Sequence, residues 1–297
     1  VLVEKVLKDA IRDSEIEKDT LRLIQFHNSM GGVKHNLGQY SSSIDHFQKS
    51  LEYSKQTNNL IELNKSKVNM TMVYLYNRNY DKGIANLEEA ILVLKDSKEQ
   101  KILGVAYSNM ANLYREKGDF EQAVKFGKEA IKIQKVIGDD RNLGISYTNI
   151  GSVLGYQKYF QEALVYFGKS SDILMTINAK SELAFLYLEY SKVHDLQELH
   201  AQATAYANLA LELARSEKLP DYELKALNQL ALIDYNTRNF EASIGNLIAQ
   251  MVLQDSMNQE LQSKNIRETV AIYSVYEAER KSTELKHQVV LEKSRFN

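Results

Sequence analysis

The sequence predicts an all-α fold, an α-solenoid of helix–turn–helix units, from three observations. The 297 residues contain one proline; proline lacks an amide donor and clashes with the preceding turn, so a chain nearly free of it suits helix throughout. One spacing recurs with a 40-residue period, a small residue, an aromatic nine positions later and a second small residue three further on. It reads Gly31/Tyr40/Ser43, Thr71/Tyr80/Gly83, Ala111/Phe120/Ala123, Gly151/Phe160/Ala163, Ser191/His200/Ala203 and Ala231/Phe240/Ser243, with His200 the one exception to the aromatic. Between these markers the apolar residues fall three and four apart, the period of a helix with one buried face. A helix-pair repeat of this length signals a solenoid, in which each unit buries its apolar face against its neighbours.

Taken in order, residues 1 to about 16 form an amphipathic helix with Val3, Val6, Leu7, Ala10 and Ile11 on one face. In register, Leu7 falls where Phe47 does and Ala10 where Ser50 does. Residues 1–23 therefore read as the second helix of a truncated repeat plus a connector, and the chain as a piece of a longer protein. Units of 40 residues fill 24–263, six in all. Gly38, Asn79, Gly118 and Asn239 supply the left-handed backbone that stops each first helix. The two small columns mark where the helices of a hairpin cross closely. A third column, Phe47, Leu87, Phe167 and Leu247, fills the groove beside that crossing. The third unit has Gly127 there, with Phe126 beside it, which predicts a slight shift of register. Tyr74, Tyr107, Tyr114, Tyr147 and Tyr187 sit at packing positions, with hydroxyls expected to reach the surface. The fifth unit is the weakest, since its turn from Asp195 to Ala201 has neither Gly nor Asn. Residues 264–297 begin a seventh first helix, with Ala271 in the small column, and run on as one long helix. There Val275, Ala278, Ser282, Leu285, Val289, Glu292 and Phe296 alternate three and four apart, a seam that suits a coiled-coil linker or a helix capping the last repeat.

Composition excludes several functions. The formal net charge is −2, so no basic footprint for nucleic acid exists. With no cysteine there is no disulfide, thiolate metal site or cysteine nucleophile. The histidines form no close ligand pair, and no glycine-rich phosphate loop occurs. The chain reads as non-catalytic, without metal or cofactor, and no apolar run is long enough to span a bilayer.

What remains is the inner face of the solenoid, lined by one stripe of every first helix. Two residues before each first small position stand Ser29, Asn69, Asn109, Asn149, Glu189 and Gln229. One turn on come Met72, Asn112, Ser152 and Lys192, then Leu75, Arg115 and Gly155, with Tyr76 and Tyr156 beside them. Asparagine offers a donor and an acceptor together, which matches a peptide backbone. Arg115 and Lys192 suit a carboxylate. The candidate ligand residues are therefore Asn69, Asn109, Asn149, Asn112, Arg115, Ser152, Tyr156, Lys192 and Gln229, for a peptide or protein partner. The same asparagines equally suit a second role, bridging neighbouring repeats to hold the pitch of the superhelix.

The spacing in Gly31…Tyr40…Ser43 and Gly151…Phe160…Ala163 resembles the tetratricopeptide repeat. That repeat is usually about 34 residues long; here the extra residues fall at the end of the second helix and the connector, as from Lys135 to Asn142, like the long-helix class found in peptide sensors and scaffolds. The chain departs from the usual pattern in two respects. Tyr107, Tyr147 and Tyr187 stand in the tryptophan column, and proline after a second helix occurs only at Pro220. The resemblance implies a right-handed superhelix whose Asn69, Asn109 and Asn149 contact an extended peptide. The tail YEAERKSTELKHQVVLEK resembles the segment that joins such repeats to a membrane helix in sensor histidine kinases and regulators of Bacteroidetes-type bacteria. That context implies the sensory region of a signal-transduction protein, lying outside the cytoplasmic membrane. Kinase chemistry would follow residue 297, and the C-terminal helix would pair two copies. The alternatives are a cytoplasmic peptide-binding regulator and an assembly scaffold.

Overall fold

The computed structural model describes residues 2–36, 39–57 and 59–259, and the chain divides into two compact units, 1–247 and 248–297. Among the described residues every regular element is an α-helix. A single helix, α1 (Leu2–Glu17), precedes the hairpins. The first hairpin is α2 (Thr20–Asn36) with α3 (Tyr40–Gln56). In the second, α4 (Leu60–Asn69) and α5 (Thr71–Tyr76) together take the place of one first helix and pair with α6 (Tyr80–Lys95). Then come α7 (Gln100–Lys117) with α8 (Phe120–Ile137), and α9 (Asp140–Tyr156) with α10 (Phe160–Thr176). The last are α11 (Lys180–Leu196) with α12 (His200–Ser216), and α13 (Pro220–Asn236), followed by helical residues 240–247. In the second unit, residues 248–259 are helical. The expected seventh first helix and heptad seam lie outside the described residues.

The hairpin turns differ from the sequence reading at Asn79 and Asn239, and Gly38 lies outside the described residues. Gly118 does take the left-handed backbone, at φ 86°. Asn79, however, is the residue before the second helix, at φ −95°. The left-handed residue precedes it: Arg78 at φ 53°, Lys158 at 65°, Glu198 at 61° and Arg238 at 61°. Each is followed by an amide that reaches back five residues, as Asn79 N–H does to the Tyr74 carbonyl at 2.9 Å and Leu199 N–H to the His194 carbonyl at 2.9 Å. That bond closes the end of the first helix and satisfies its last carbonyls. It depends on backbone geometry, so long polar side chains accept the left-handed conformation at a cost of roughly 1–2 kcal/mol. The fifth hairpin closes in this way without glycine or asparagine.

The small columns lie at helix crossings. A Cβ added to Gly151 would stand 2.5 Å from the Phe167 ring and 3.0 Å from the Ala163 carbonyl oxygen. At Gly31 it would meet the Phe47 ring at 2.6 Å. Where the column carries serine, its hydroxyl bonds the facing backbone: Ser43 to the Gly31 carbonyl (2.7 Å), Ser191 to Ala203 (2.8 Å) and Ser243 to Ala231 (2.8 Å). Gly127 needs no shift of register. It makes room for Ile150 of the next hairpin, whose side chain would lie 2.8 Å from an added Cβ. Phe126 beside it stacks on Tyr114 and Tyr107. Leu247 differs from its column: it is exposed, unlike Phe47, Leu87 and Phe167. Tyr107 and Tyr147 are buried, whereas Tyr74, Tyr114 and Tyr187 are half-buried.

Within residues 1–247 the first helices form a continuous wall. α2 packs on α4, α4 on α7, α7 on α9, α9 on α11 and α11 on α13, while the second helices make no comparable contact with one another. A row that touches along its length is the short side of a curved stack, so the first helices line the inner side.

The first hairpin carries an acid-sensitive joint. The Nδ1 atoms of His27 and His46 lie 2.9 Å apart, one donating to the other, and Tyr53 stacks on His27. Burial pushes both imidazoles down to about 4, helped for His27 by His46 and Lys49. For His46 the lysines Lys49, Lys34 and Lys8 add to burial, against Asp45. The unfolded chain takes up these protons near pH 6.5, the folded chain only near 4. Their contribution is thus complete above pH 6.5 and is lost as pH falls towards 4. Urea unfolding at pH 7 and pH 5 should show a clearly lower midpoint at pH 5. A His27→Gln/His46→Gln double variant should lose most of that difference.

Candidate functional site

Polar side chains collect on the inner wall where α7, α9 and α11 run side by side. Positions three and four apart on a helix share a face, which aligns Asn109 with Asn112, Asn149 with Ser152 and Tyr156, and Glu189 with Lys192. These residues link successive helices. Asn109 Nδ2 donates to the Val68 carbonyl of the preceding hairpin at 3.3 Å. Arg115 Nη1 donates to Asn149 Oδ1 at 3.3 Å, while its Nε and Nη2 hold the neighbouring Glu116 at 3.2 and 2.9 Å. Ser152 Oγ donates to Glu189 Oε2, and Lys192 Nζ donates to Glu189 Oε1 at 2.6 Å.

Glu189 is the organising charge, buried at 4% exposure. Burial alone would raise its carboxyl, but the Lys192 ammonium, the Ser152 hydroxyl and Arg115 outweigh it and hold the group below its ordinary value. Burial likewise lowers Lys192, and the Glu189 carboxylate more than reverses it. Beyond them on α13, Lys225 places its ammonium 5.1 Å from the centre of the Tyr222 ring. Lys225 is exposed by area, yet crowding on the inner wall and repulsion from Lys192 push it down against the pull of Asp221 and Glu189. Arg115, Lys192 and Lys225 thus place three cations close together on this wall, the first two paired with Glu116 and Glu189.

The structure places Asn109, Asn149, Arg115, Ser152 and Lys192 in three separate links, Asn109 to the Val68 carbonyl, Arg115 to Asn149, and Ser152 and Lys192 to Glu189. Asn149, Ser152 and Gln229 are buried, at 8%, 2% and 7% exposure. Asn112 is half-buried and its Oδ1 has no hydrogen-bond partner. Tyr156 stands exposed, stacked on Phe120 at 6.4 Å. Asn69 is the last residue of α4 and is half-buried. Asn109 and Asn149 each bridge two hairpins. The sequence reading passed over Lys225 and Tyr222. The signal was there, since Lys225 is four residues before Gln229 on the same helical face. Among the described residues no group of three His, Asp or Glu side chains could hold a metal, and no helix is long and apolar enough to cross a membrane.

The pattern of the tetratricopeptide repeat matches residues 62–135 and again 103–176, the region from α4 to α10. Residues 62–176 are built of tetratricopeptide repeats. The matched stretch holds Asn69, Asn109, Asn112, Arg115, Asn149, Ser152 and Tyr156; Lys192 and Gln229 lie beyond it. A second pattern, that of anaphase-promoting complex subunit 5, matches residues 143–229. Among solved structures, a Rap protein complexed with Competence and Sporulation Factor is 15% identical, with a TM-score of 0.69, covering 87% of this chain and 71% of that one. The apo form of RapI is 14% identical, with a TM-score of 0.66, covering 85% of this chain and 93% of that one. The Pyrococcus horikoshii protein PH0952, a signal transduction ATPase with a tetratricopeptide repeat sensor, is 15% identical, with a TM-score of 0.52 over 86% of this chain and 43% of that one. At these identities the likeness is one of fold. No curated protein matches the chain. The tetratricopeptide hairpins thus account for the small columns between residues 62 and 176.

Proposed function

We propose that this tetratricopeptide chain is a non-catalytic recognition module that binds a peptide or protein along the inner wall of its first helices. One observation carries the reading: two polar links between hairpins, Arg115–Asn149 and Ser152–Glu189–Lys192, stand side by side where repeat packing alone would be served by apolar side chains. Burying a carboxylate and an ammonium together contributes little net stability compared with apolar packing of similar volume. Such groups suit recognition. The ligand on this reading carries an acidic group for Arg115, Lys192 and Lys225, with its backbone along Asn69, Asn109 and Asn149. Asn112, Ser152, Tyr156 and Gln229 line its path.

Two fold neighbours support a signalling role, since one was solved with Competence and Sporulation Factor bound and another uses its repeats as a sensor. We extend the reading to the sensory region of a bacterial signal-transduction protein, with the heptad seam from Val275 to Phe296 leading to a partner copy or a membrane helix. A stretch of about 20 apolar residues soon after Asn297 in the full-length gene supports that extension; a cytoplasmic domain directly following replaces it with the cytoplasmic regulator.

A library of short peptides, with and without acidic residues, tests the site against wild type and an Asn109→Ala/Asn149→Ala double variant. Acidic members should bind best, weaken with salt, and lose about tenfold in affinity on the double variant, the loss of about 1.4 kcal/mol. Equal binding by both proteins removes the asparagines from the site.

A further inference from the structure

The second helices leave an outer groove that carries unpaired charge. α8 and α10 both pack on α9 and not on each other, so the groove runs between them with α9 as its floor. Tyr147 of α9 is buried there, and the half-buried ring of Tyr166 from α10 lies 5.9 Å from it. Two exposed lysines converge on these rings from the two walls. Lys135 of α8 places its ammonium 5.7 Å from the centre of the Tyr147 ring. Lys169 of α10 lies 5.9 Å from the same centre and 5.2 Å from that of Tyr166. Contact with the Tyr147 hydroxyl raises Lys135 above its ordinary value. Lys128 and Lys132 extend the row along α8 at helical spacing and are exposed. Among the described residues none of these four lysines forms an ion pair, whereas Lys67, Lys117 and Lys192 each hold a carboxylate.

Packing does not require this pair. One repeat earlier the same positions hold Lys95, Tyr107, Phe126 and Glu129, with Lys95 6.0 Å from the Tyr107 ring and a glutamate in place of the second lysine. One repeat later they hold Met175, Tyr187, Tyr206 and Leu209, with no charge. The rings are common to all three grooves, and the doubled positive charge belongs to this one. Asp172, the next acid after Lys169 on α10, acts on Tyr190 of the following hairpin. We propose that the groove between α8 and α10 binds an acidic segment of a partner protein, its carboxylates meeting Lys135 and Lys169 over Tyr147 and the Lys128–Lys132 row beside them. Charge complementarity identifies the partner: the row on α8 spans about 10 Å, a length that several carboxylates along one peptide segment match. Ammoniums already resting on rings lose less freedom when an anion arrives. The groove belongs to the second helices, so this site does not depend on the inner wall.

Nuclear magnetic resonance with isotope-labelled tyrosine rings tests the site, because each face has its own reporters: Tyr147 and Tyr166 for the outer groove, Tyr156 and Tyr222 for the inner wall. Tyrosine-to-phenylalanine variants assign the signals. Hexaglutamate added to the wild-type chain should move the Tyr147 and Tyr166 signals to saturation. In Lys135→Gln/Lys169→Gln the midpoint should rise about fivefold or more, the combined loss expected of two exposed charge contacts. Lys98→Gln/Lys101→Gln, which removes two other exposed lysines, should leave the midpoint within about twofold of wild type. Unmoved Tyr147 and Tyr166 signals, or equal losses in the two double variants, overturn the site and leave only general attraction to surface lysines. An oligothymidylate of equal charge that moves these signals at a lower concentration than hexaglutamate also overturns it, in favour of nucleic acid. A response confined to Tyr156 and Tyr222 removes the groove and keeps the inner-wall reading; a response confined to Tyr147 and Tyr166 does the reverse.

Discussion

Replacing Ala111 by glutamate is expected to unfold the middle of the solenoid. Ala111 is buried at the crossing of α7 and α8, and a Cβ added to Gly127 would lie 3.9 Å from its own. The larger side chain must spread the two helices, or the charge must be buried without a partner, at a cost of about 4 kcal/mol or more. In a stacked array each hairpin is held by its neighbours, so the third hairpin would loosen the second and the fourth together. Urea unfolding followed by circular dichroism should show a much lower midpoint, or two transitions in place of one. Ala111→Ser should be nearly neutral, since the fifth hairpin carries Ser191 in the same column and pairs its hydroxyl with the Ala203 carbonyl. A melting temperature unchanged by Ala111→Glu would mean that this column does not lie at the crossing.

Gly151→Ala and Gly168→Ala should act in opposite directions. Both glycines are inside helices, where alanine ordinarily gains about 1 kcal/mol over glycine. Around Gly168 no atom lies within 4 Å of an added Cβ, so Gly168→Ala should realise that gain and raise the melting temperature. At Gly151 the same methyl meets Phe167 at 2.5 Å and the backbone oxygen of Ala163 at 3.0 Å. The ring is fully buried and the backbone belongs to α10, so neither gives way cheaply. Overpacking of this kind costs about 1–3 kcal/mol, which outweighs the propensity gain. A stabilised Gly151→Ala would show that α9 and α10 cross elsewhere.

The legibility of the chain differed between features for identifiable reasons. The crossing at Gly151 was readable because close approach admits only small residues, and the restriction returns every 40 positions. The turns were readable to within one residue. Arg78, Lys158 and Glu198 carry the left-handed backbone, although none advertises it, because the closing amide-to-carbonyl bond is formed by backbone atoms that every residue has. Gly127 suggested a shift of register, but the space it leaves is filled by Ile150 from the next hairpin, 23 positions away in the chain. On the inner wall the asparagine column was visible as a pattern. The organising role of Glu189 was not, since a glutamate on a helix is ordinarily solvated and its partner Ser152 lies 37 residues away.

By itself, then, the sequence determined the helical class, the small–aromatic–small hairpin and the stripe that faces inward, because each follows from spacing along a single helix or a single turn. Only the tertiary structure decided which polar atoms pair across hairpins. Arg115 with Asn149, Ser152 with Glu189 and Asn109 with the Val68 carbonyl are set by the rotation of one hairpin on the next.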